Sequence, residues 1–478
     1  MLLRIKNHLP LIIVLLVASL MRLPLPSIVS TWTDEITLLS SAVDLVYNRQ
    51  PVWIGNPVFV AFGQIRYHSP FTVYVTAVPY LFFQDPTSAR LFYGVLNIAA
   101  IAALFKFTHV YFDQVAAFSA GLTLAVMPWA VYWGRIVWNP SVAPLFIAAW
   151  FYAVLRGYQE QQSQWQFLSW IFLSLIIQSQ AAMVVLVGNH LFIVVLTIII
   201  KRPKIMQFVV VQLVSLLVMF VTFLPWLYGL YSLEQGSLSH SHDDAITLEA
   251  PGFDLIRSIF MAFSSGYGHR SSLFASSANP ANWWIPQDIQ DILYAHLALI
   301  LLGAIVLIYG FVNNWERIGN IWVVTVLLTP LLFVFVSDRI LGDHYLMPIT
   351  FAGPVVFGIG VDYLARLQIT PKLVILKNLF LFLVVGAIII VQCWLSLSLL
   401  DLHRRDSRFM PLFRITDTLD QWTNYASTDT FILETTAVEL RFYHFERVFY
   451  WNTFPFLTLS AMLHVAKLCH LGGLILPP

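Results

Sequence analysis

LPLIIVLLVASLMRLPLPSIVS, residues 9–30, runs directly into TWTDEITLLSSAVDLVYN, residues 31–48. The first stretch is apolar and long enough to cross a bilayer, which takes roughly 20 residues of helix. It ends on two adjacent carboxylates, Asp34 and Glu35, placed where a spanning helix leaves the lipid. From there Ile36, Leu39, Val43 and Val46 recur at helical spacing, with Thr37, Ser40, Ser41 and Asp44 on the other face. That pattern predicts an amphipathic helix lying on the bilayer surface. A spanning helix, an acidic pair and an interfacial helix in succession mark a membrane chain with its chemistry at the water boundary.

The rest of the chain repeats the first half of this pattern. Of 478 residues, 59% are hydrophobic and 11% charged, and the mean hydropathy is +0.76. No soluble core absorbs so much apolar surface. Further apolar windows lie at 89–110, 115–133, 142–158, 167–180, 183–200, 205–228, 292–312, 318–336, 345–363 and 373–400, beside 9–28. The expectation is an all-α polytopic membrane protein with about eleven transmembrane helices.

A net charge of +1 argues against a nucleic-acid partner. The few cations sort by loop. Arg4, Lys6, Lys106, Arg156, Lys201, Arg202, Lys204, Arg317, Arg366, Lys372 and Lys377 share one side if the first helix starts in the cytoplasm. Opposite them lie the large polar segments: a first outer loop at 30–88, a second at 229–291, and a small extracytoplasmic domain at 401–478 that follows the membrane domain of 1–400. That small domain reads as mixed, with a helix at 415–425 and a strand at 430–433. Arg4 and Lys6 ahead of an apolar run read as an uncleaved signal anchor. Cys393 and Cys469 offer neither a disulfide framework nor a cysteine metal site. The expected location is a bacterial inner or plasma membrane, with the functional face periplasmic or extracellular.

A second segment of the first outer loop, 69–83, is broken by Pro79 and too short to span, so it too is expected in the interface. Asp34 and Glu35 carry two readings. Carboxylates are favourable at a helix N-terminus, and Thr33 or Asp34 suits an N-cap. Alternatively, a partly desolvated Asp34 takes a proton from an acceptor hydroxyl while Glu35 orients it or the acceptor. The run Ser239-His240-Ser241-His242-Asp243-Asp244 has the residue types of a metal site without a spacing that fixes a geometry, and a solvated loop is the preferred reading. No metal is assigned and a divalent ion is not indicated.

Four features in register resemble the GT-C class of membrane glycosyltransferases, specifically protein O-mannosyltransferases and the aminoarabinose transferases of lipid A. They are Trp32-Thr33-Asp34-Glu35, Tyr67-His68-Ser69-Pro70-Phe71, Ser88-Ala89-Arg90-Leu91, and Pro128-Trp129 through Arg135 to Asn139-Pro140. Ser69 stands where that family often has proline. The resemblance covers the N-terminal 230 residues or so, and the remainder by topology. It implies an inverting enzyme that moves a sugar from a polyprenyl-phosphate carrier to a hydroxyl on a protein, lipid or glycan. Asp34 and Glu35 would then be catalytic. Arg90, Arg339, His344 and Tyr345 would face the donor phosphate, Arg90 having the alternative role of an interfacial anchor. His68, Arg135, Trp138 and Asn139 would meet the substrates. No cofactor is implied beyond the lipid-linked donor.

Two other classes compete. A transporter or flippase would carry ionisable residues along a path inside its spans, and these spans hold few. A polymerase or ligase of envelope polysaccharide uses the same carriers and often has a large late outer loop, which 229–291 resembles.

Overall fold

The computed structural model describes residues 2–26, 33–61, 64–235, 287–336 and 347–405. Each apolar window read from the sequence overlaps one or more helices. In chain order these begin with α1 (Leu2–Arg22), α2 (Thr33–Tyr47), a hairpin of β1 (Pro57–Ala61) and β2 (Gln64–Tyr67), and α3 (Phe71–Tyr80). Then come α4 (Pro86–Tyr111), α5 (Gln114–Val126), α6 (Pro128–Trp133), α7 (Asn139–Val154) and α8 (Ser163–Ser179). The last are α9 (Leu186–Leu196), α10 (Ile205–Gln235), α11 (Gln287–Asn313), α12 (Ile318–Val336), α13 (Met347–Arg366) and α14 (Pro371–Arg405). A π-turn at Leu155–Gln159 extends α7, and irregular turns at Ala181–Val185 and Thr197–Lys201 flank α9.

Among the described residues, 6 helical stretches are long and apolar enough to cross a membrane: Pro86–Tyr111, Asn139–Gln159, Ala181–Lys201, Ile205–Ser232, Asp291–Asn313 and Leu373–Ser398. The other apolar helices are shorter or more polar. The window 115–133 is not one helix. Met127 stands before Pro128, whose ring excludes the helical conformation for its predecessor, and Met127 is extended at φ −59 and ψ 123. The helix therefore stops at Val126 and restarts as α6. Elsewhere Pro24 and Pro26 follow the end of α1 at Arg22, and α10 and α14 run past the expected loop starts to Gln235 and Arg405. The segments 236–286 and 406–478, with the His-Asp run at 239–244 and the elements expected at 415–425 and 430–433, lie outside the described residues, as do Arg339, His344 and Tyr345.

Helix α7 sits centrally, with Trp150, Phe151 and Val154 buried among α4, α8 and Trp322 of α12. Helices α11 and α13 cross so closely that a Cβ on Gly303 would meet the Val356 carbonyl and one on Gly360 the Leu299 carbonyl. Such small-residue contacts let helices pack where lipid gives no hydrophobic drive. By contrast, α10 and α14 expose Leu213, Leu217, Phe380 and Phe382, a surface suited to acyl chains. Asn189 and His190, polar residues within a span, find interior partners. Asn189 Oδ1 accepts from Thr329 at 2.7 Å, and the His190 ring meets Trp150 Nε1 at 3.1 Å and Tyr158 Oη at 2.9 Å.

The first outer loop departs from expectation in two ways. The apolar face of α2 packs on protein, with Ile36, Leu39 and Val43 set against Val73, Ala77 and Tyr80 of α3 and against Ala89 and Tyr93 of α4. Strands β1 and β2 pair antiparallel, a pairing extended by Gly55 N donating to His68 O and His68 N to Asn56 O. The fold is thus helical with a small β element. Both departures anchor the loop over one end of the bundle.

Candidate active site

The first turn of α2, the start of α4 and the loop between α6 and α7 meet at that end of the bundle. Glu35 is fully buried, and Arg90, 1% exposed, grips it with a two-pronged contact: Nε to Oε1 at 2.7 Å and Nη2 to Oε2 at 2.6 Å. The Val137 amide donates to Oε1 at 3.1 Å. The remaining Arg90 nitrogen donates to Pro26 O at 3.1 Å. Arg90 is thereby committed to Glu35 and to the chain leaving α1, so it offers no open face to a donor phosphate. Fork-to-carboxylate geometry of this kind fixes both partners in orientation.

Asp34 is placed differently. It is half-buried, and its Oδ2 accepts from Trp138 Nε1 at 2.9 Å, while Oδ1 has no hydrogen-bond partner among the described residues. Its backbone carbonyl accepts from Asn56 Nδ2 at 2.7 Å, which ties the helix start to the hairpin base. Burial pushes the Asp34 carboxyl above its usual range, and the indole hydrogen bond pulls part of the way back. Both carboxylates lie in the first turn of α2, where the helix dipole favours them, while the Asp34 side chain bonds an indole and no backbone amide among the described residues.

Arg135 is also buried, and it serves the backbone. Its guanidinium donates to Met21 O at 2.8 Å, to Pro24 O, and to Leu25 O at 2.8 Å. Leu25 has a left-handed φ of 49, a conformation that costs a non-glycine residue about 1–2 kcal/mol and that Arg135 holds in place. Burial, with the Arg90 charge nearby, brings Arg135 down to about 10, so it stays cationic at neutral pH. Asn139 is likewise occupied, its Oδ1 accepting from Thr72 at 2.9 Å.

His68 sits at the hairpin base with Nδ1 sealed from water and without a partner. Burial pushes its imidazole down to about 4, so it is neutral at pH 7. Next to it, Ser69 Oγ donates to Gln178 Oε1 at 3.1 Å, and Gln178 Nε2 reaches Ser174 and Thr222 at 3.0 Å each. The structure therefore brings Asp34, Glu35, Arg90, Trp138 and Arg135 into one linked cluster, with Asn139 and His68 joined through the hairpin and α3. Asn56, Thr72 and Gln178 complete it. Nothing in the sequence singles those three out, since each is an ordinary polar residue whose partner is distant in the chain. No group of three metal-ligating side chains occurs among the described residues.

Residues 67–228 match the family model of dolichyl-phosphate-mannose-protein mannosyltransferase. No curated protein matches the chain in sequence. The structure is similar to that of ArnT from Cupriavidus metallidurans in the apo state, at a TM-score of 0.58 and 14% identity, over 98% of this chain and 89% of that one. It is similar to the same protein bound to undecaprenyl phosphate, at 0.56 and 14%, over 97% and 88%. The archaeal oligosaccharyltransferase AglB from Archaeoglobus fulgidus, in complex with an inhibitory peptide and a dolichol-phosphate, matches at 0.51 and 14%, over 89% of this chain and 59% of that one. The chain has the fold of these proteins and resembles the GT-C class membrane glycosyltransferases, mannosyltransferases and ArnT among them.

Proposed function

We propose that the protein transfers a sugar, with inversion, from a polyprenyl-phosphate carrier to a hydroxyl on a protein, lipid or glycan at the outer face of the membrane. The observation that carries this reading is the unequal treatment of the two carboxylates. Glu35 is held on both oxygens, whereas Asp34 keeps one oxygen without a partner among the described residues, beside a raised pKa. A general base needs that combination.

In the reaction the acceptor oxygen attacks the anomeric carbon from the face opposite the phosphate. The bond from that carbon to the phosphate oxygen breaks, and its electron pair leaves with the phosphate. The acceptor proton passes to Asp34 Oδ1 and later to water. Glu35 and Arg90 hold the first turn of α2, and Arg135 holds the chain that feeds it. His68, neutral at the hairpin base, would meet a substrate oxygen through Nε2, since Nδ1 is sealed from water. Charge on the leaving phosphate needs cations or oriented hydrogen-bond donors, and with Arg90 committed to Glu35 the proposal assigns Arg339, His344 and Tyr345 to it. The basic end of the bundle, with Lys106, Arg156 and Lys201, faces the cytoplasm on this reading.

The test is transfer from a panel of lipid-linked sugars by the purified chain in nanodiscs. Asp34→Asn is expected to lose about 10²- to 10⁴-fold in rate. Asp34→Asn that transfers like wild type would sink the assignment. Labelling of a Lys201→Cys variant from the outer side would overturn the orientation.

A further inference from the structure

We propose that Trp138 is the positioning residue of this site, its indole N–H selecting which oxygen of Asp34 serves as base. The inference rests on the proposed role of Asp34 and extends it. A carboxylate on a short side chain turns freely, and either oxygen then competes for the proton. Here the indole occupies Oδ2 and leaves Oδ1 open.

The indole is itself held from three sides. Its ring stacks on Trp133 with centroids 4.4 Å apart and planes 26° apart. Trp133 is 3% exposed and packed edge-on by Trp129 and Tyr132. The residues on either side of Trp138 are pinned to the loop they face: the Val137 amide bonds Glu35 Oε1, and Asn139 Oδ1 accepts from Thr72 of α3. One short segment thus touches both carboxylates, Glu35 through its backbone and Asp34 through its side chain. Among the described residues, the charged and titratable groups on the elements of this cluster are Glu35 on the helix of Asp34, Arg90 from α4, Arg135 from the same loop as Trp138, and His68 at the hairpin base. None of these donates a hydrogen bond to the Asp34 carboxylate among the described residues, so the indole is its sole protein donor there.

The decisive measurement is a pH titration of the Asp34 carboxyl band by infrared difference spectroscopy on the full chain in nanodiscs, with Asp34→Asn identifying the band. Trp138→Phe keeps the aromatic stack and removes the N–H. The charged carboxylate then loses its donor, so the midpoint should rise by about one pH unit. With dolichyl-phosphate mannose as the donor probe, the acid limb of kcat/KM should move upward with it, and activity lost at neutral pH should return at higher pH. A purely structural role would lower stability and leave both midpoints where they are, and that result overturns the proposal. If Trp138→Phe fails to insert, benzothienylalanine at position 138, with sulfur in place of the N–H, is read by the same criteria. Asp34→Asn that is inactive beside an unmoved Trp138→Phe midpoint defeats the positioning role alone. Asp34→Asn that is fully active defeats the base and the positioning role together.

Discussion

Arg90–Glu35 and Arg156–Glu160 are both arginine–glutamate pairs with a closest approach of 2.6 Å, yet they sit at opposite ends of the bundle in different surroundings. The first pair is 1% exposed on each side and joins α4 to α2 across 55 residues of sequence. The second is about 30% exposed and spans one helical turn at the end of α7. Near the second, Arg366 pairs with Asp113, and Lys201 lies 3.7 Å from Glu316. Geometry alone does not separate the two pairs. Burial does, because a charge taken out of water depends wholly on its partner, while an exposed one is rescued by solvent and screened by salt.

The largest expected effect follows at the buried pair. Arg90→Ala leaves Glu35 buried without a counter-charge, and breaking such a pair costs about 3–5 kcal/mol. Thermal or denaturant unfolding in nanodiscs should register that loss. The double variant Arg90→Met/Glu35→Met removes both charges and should recover most of it, since matched apolar replacements of a buried pair are often neutral or stabilising. A single variant as stable as wild type would erase the distinction between the two ends.

His68 sharpens the comparison through pH. Its native pKa of about 4 lies below its ordinary value of 6.5, so the folded state binds fewer protons than the unfolded state between those limits. Stability from this group is full above pH 6.5 and is lost as pH falls toward 4. The loss should amount to about 3 kcal/mol, and His68→Gln should remove that part of the acid sensitivity. Equal acid sensitivity in the two proteins would show that His68 is accessible to water.

Asp34 has the opposite sign. Its pKa is raised by burial, so its contribution is complete below the ordinary carboxylate range and disappears as pH rises through the raised value. Asp34→Asn keeps an acceptor oxygen for Trp138 and carries no charge. At pH 7 the variant should therefore be as stable as wild type or more stable, with the advantage vanishing at the acid end. Lost transfer together with retained or increased stability distinguishes a catalytic carboxylate from a capping one, whose loss would lower stability.

The sequence announced the two ends unevenly. Apolar runs and loop charges are local signals, so the helices and the basic end could be read directly. So could the acid pair, because Asp34 and Glu35 are adjacent and follow a spanning helix. Their division of labour was not legible. It depends on Arg90 and Trp138, which lie 55 and 104 residues from their partners and meet them only through packing. Arg90 reads as a phosphate ligand for the same reason, since an arginine at a helix end reveals its charge in sequence but not its counter-ion. The strand pair did leave a sign, since Val58, Phe59, Val60 and Ile65 are β-prone residues. The break at Met127 was marked by Pro128 and was overridden by the apolar character of the window.

The smallest effect belongs to the exposed pair, and it tests whether burial is the right discriminator. Arg156 donates to Glu160 at 2.6 Å and to Tyr152 Oη at 3.2 Å, and Glu160 also accepts from Tyr111 at 2.8 Å. This is a small network with good distances, so counting contacts would rank Arg156 beside Arg90. An exposed pair four residues apart on a helix is nevertheless worth only about 0.3–0.5 kcal/mol, and salt reduces it. Arg156→Ala should therefore shift unfolding by no more than that in low salt and by nothing measurable at about 1 M, where screening acts within about 3 Å. Transfer should be unchanged, since the pair lies at the far end of α7 from Asn139. A loss of several kcal/mol at Arg156, persisting in high salt, would mean that the basic end is held as tightly as the site and that exposure is the wrong basis for separating them.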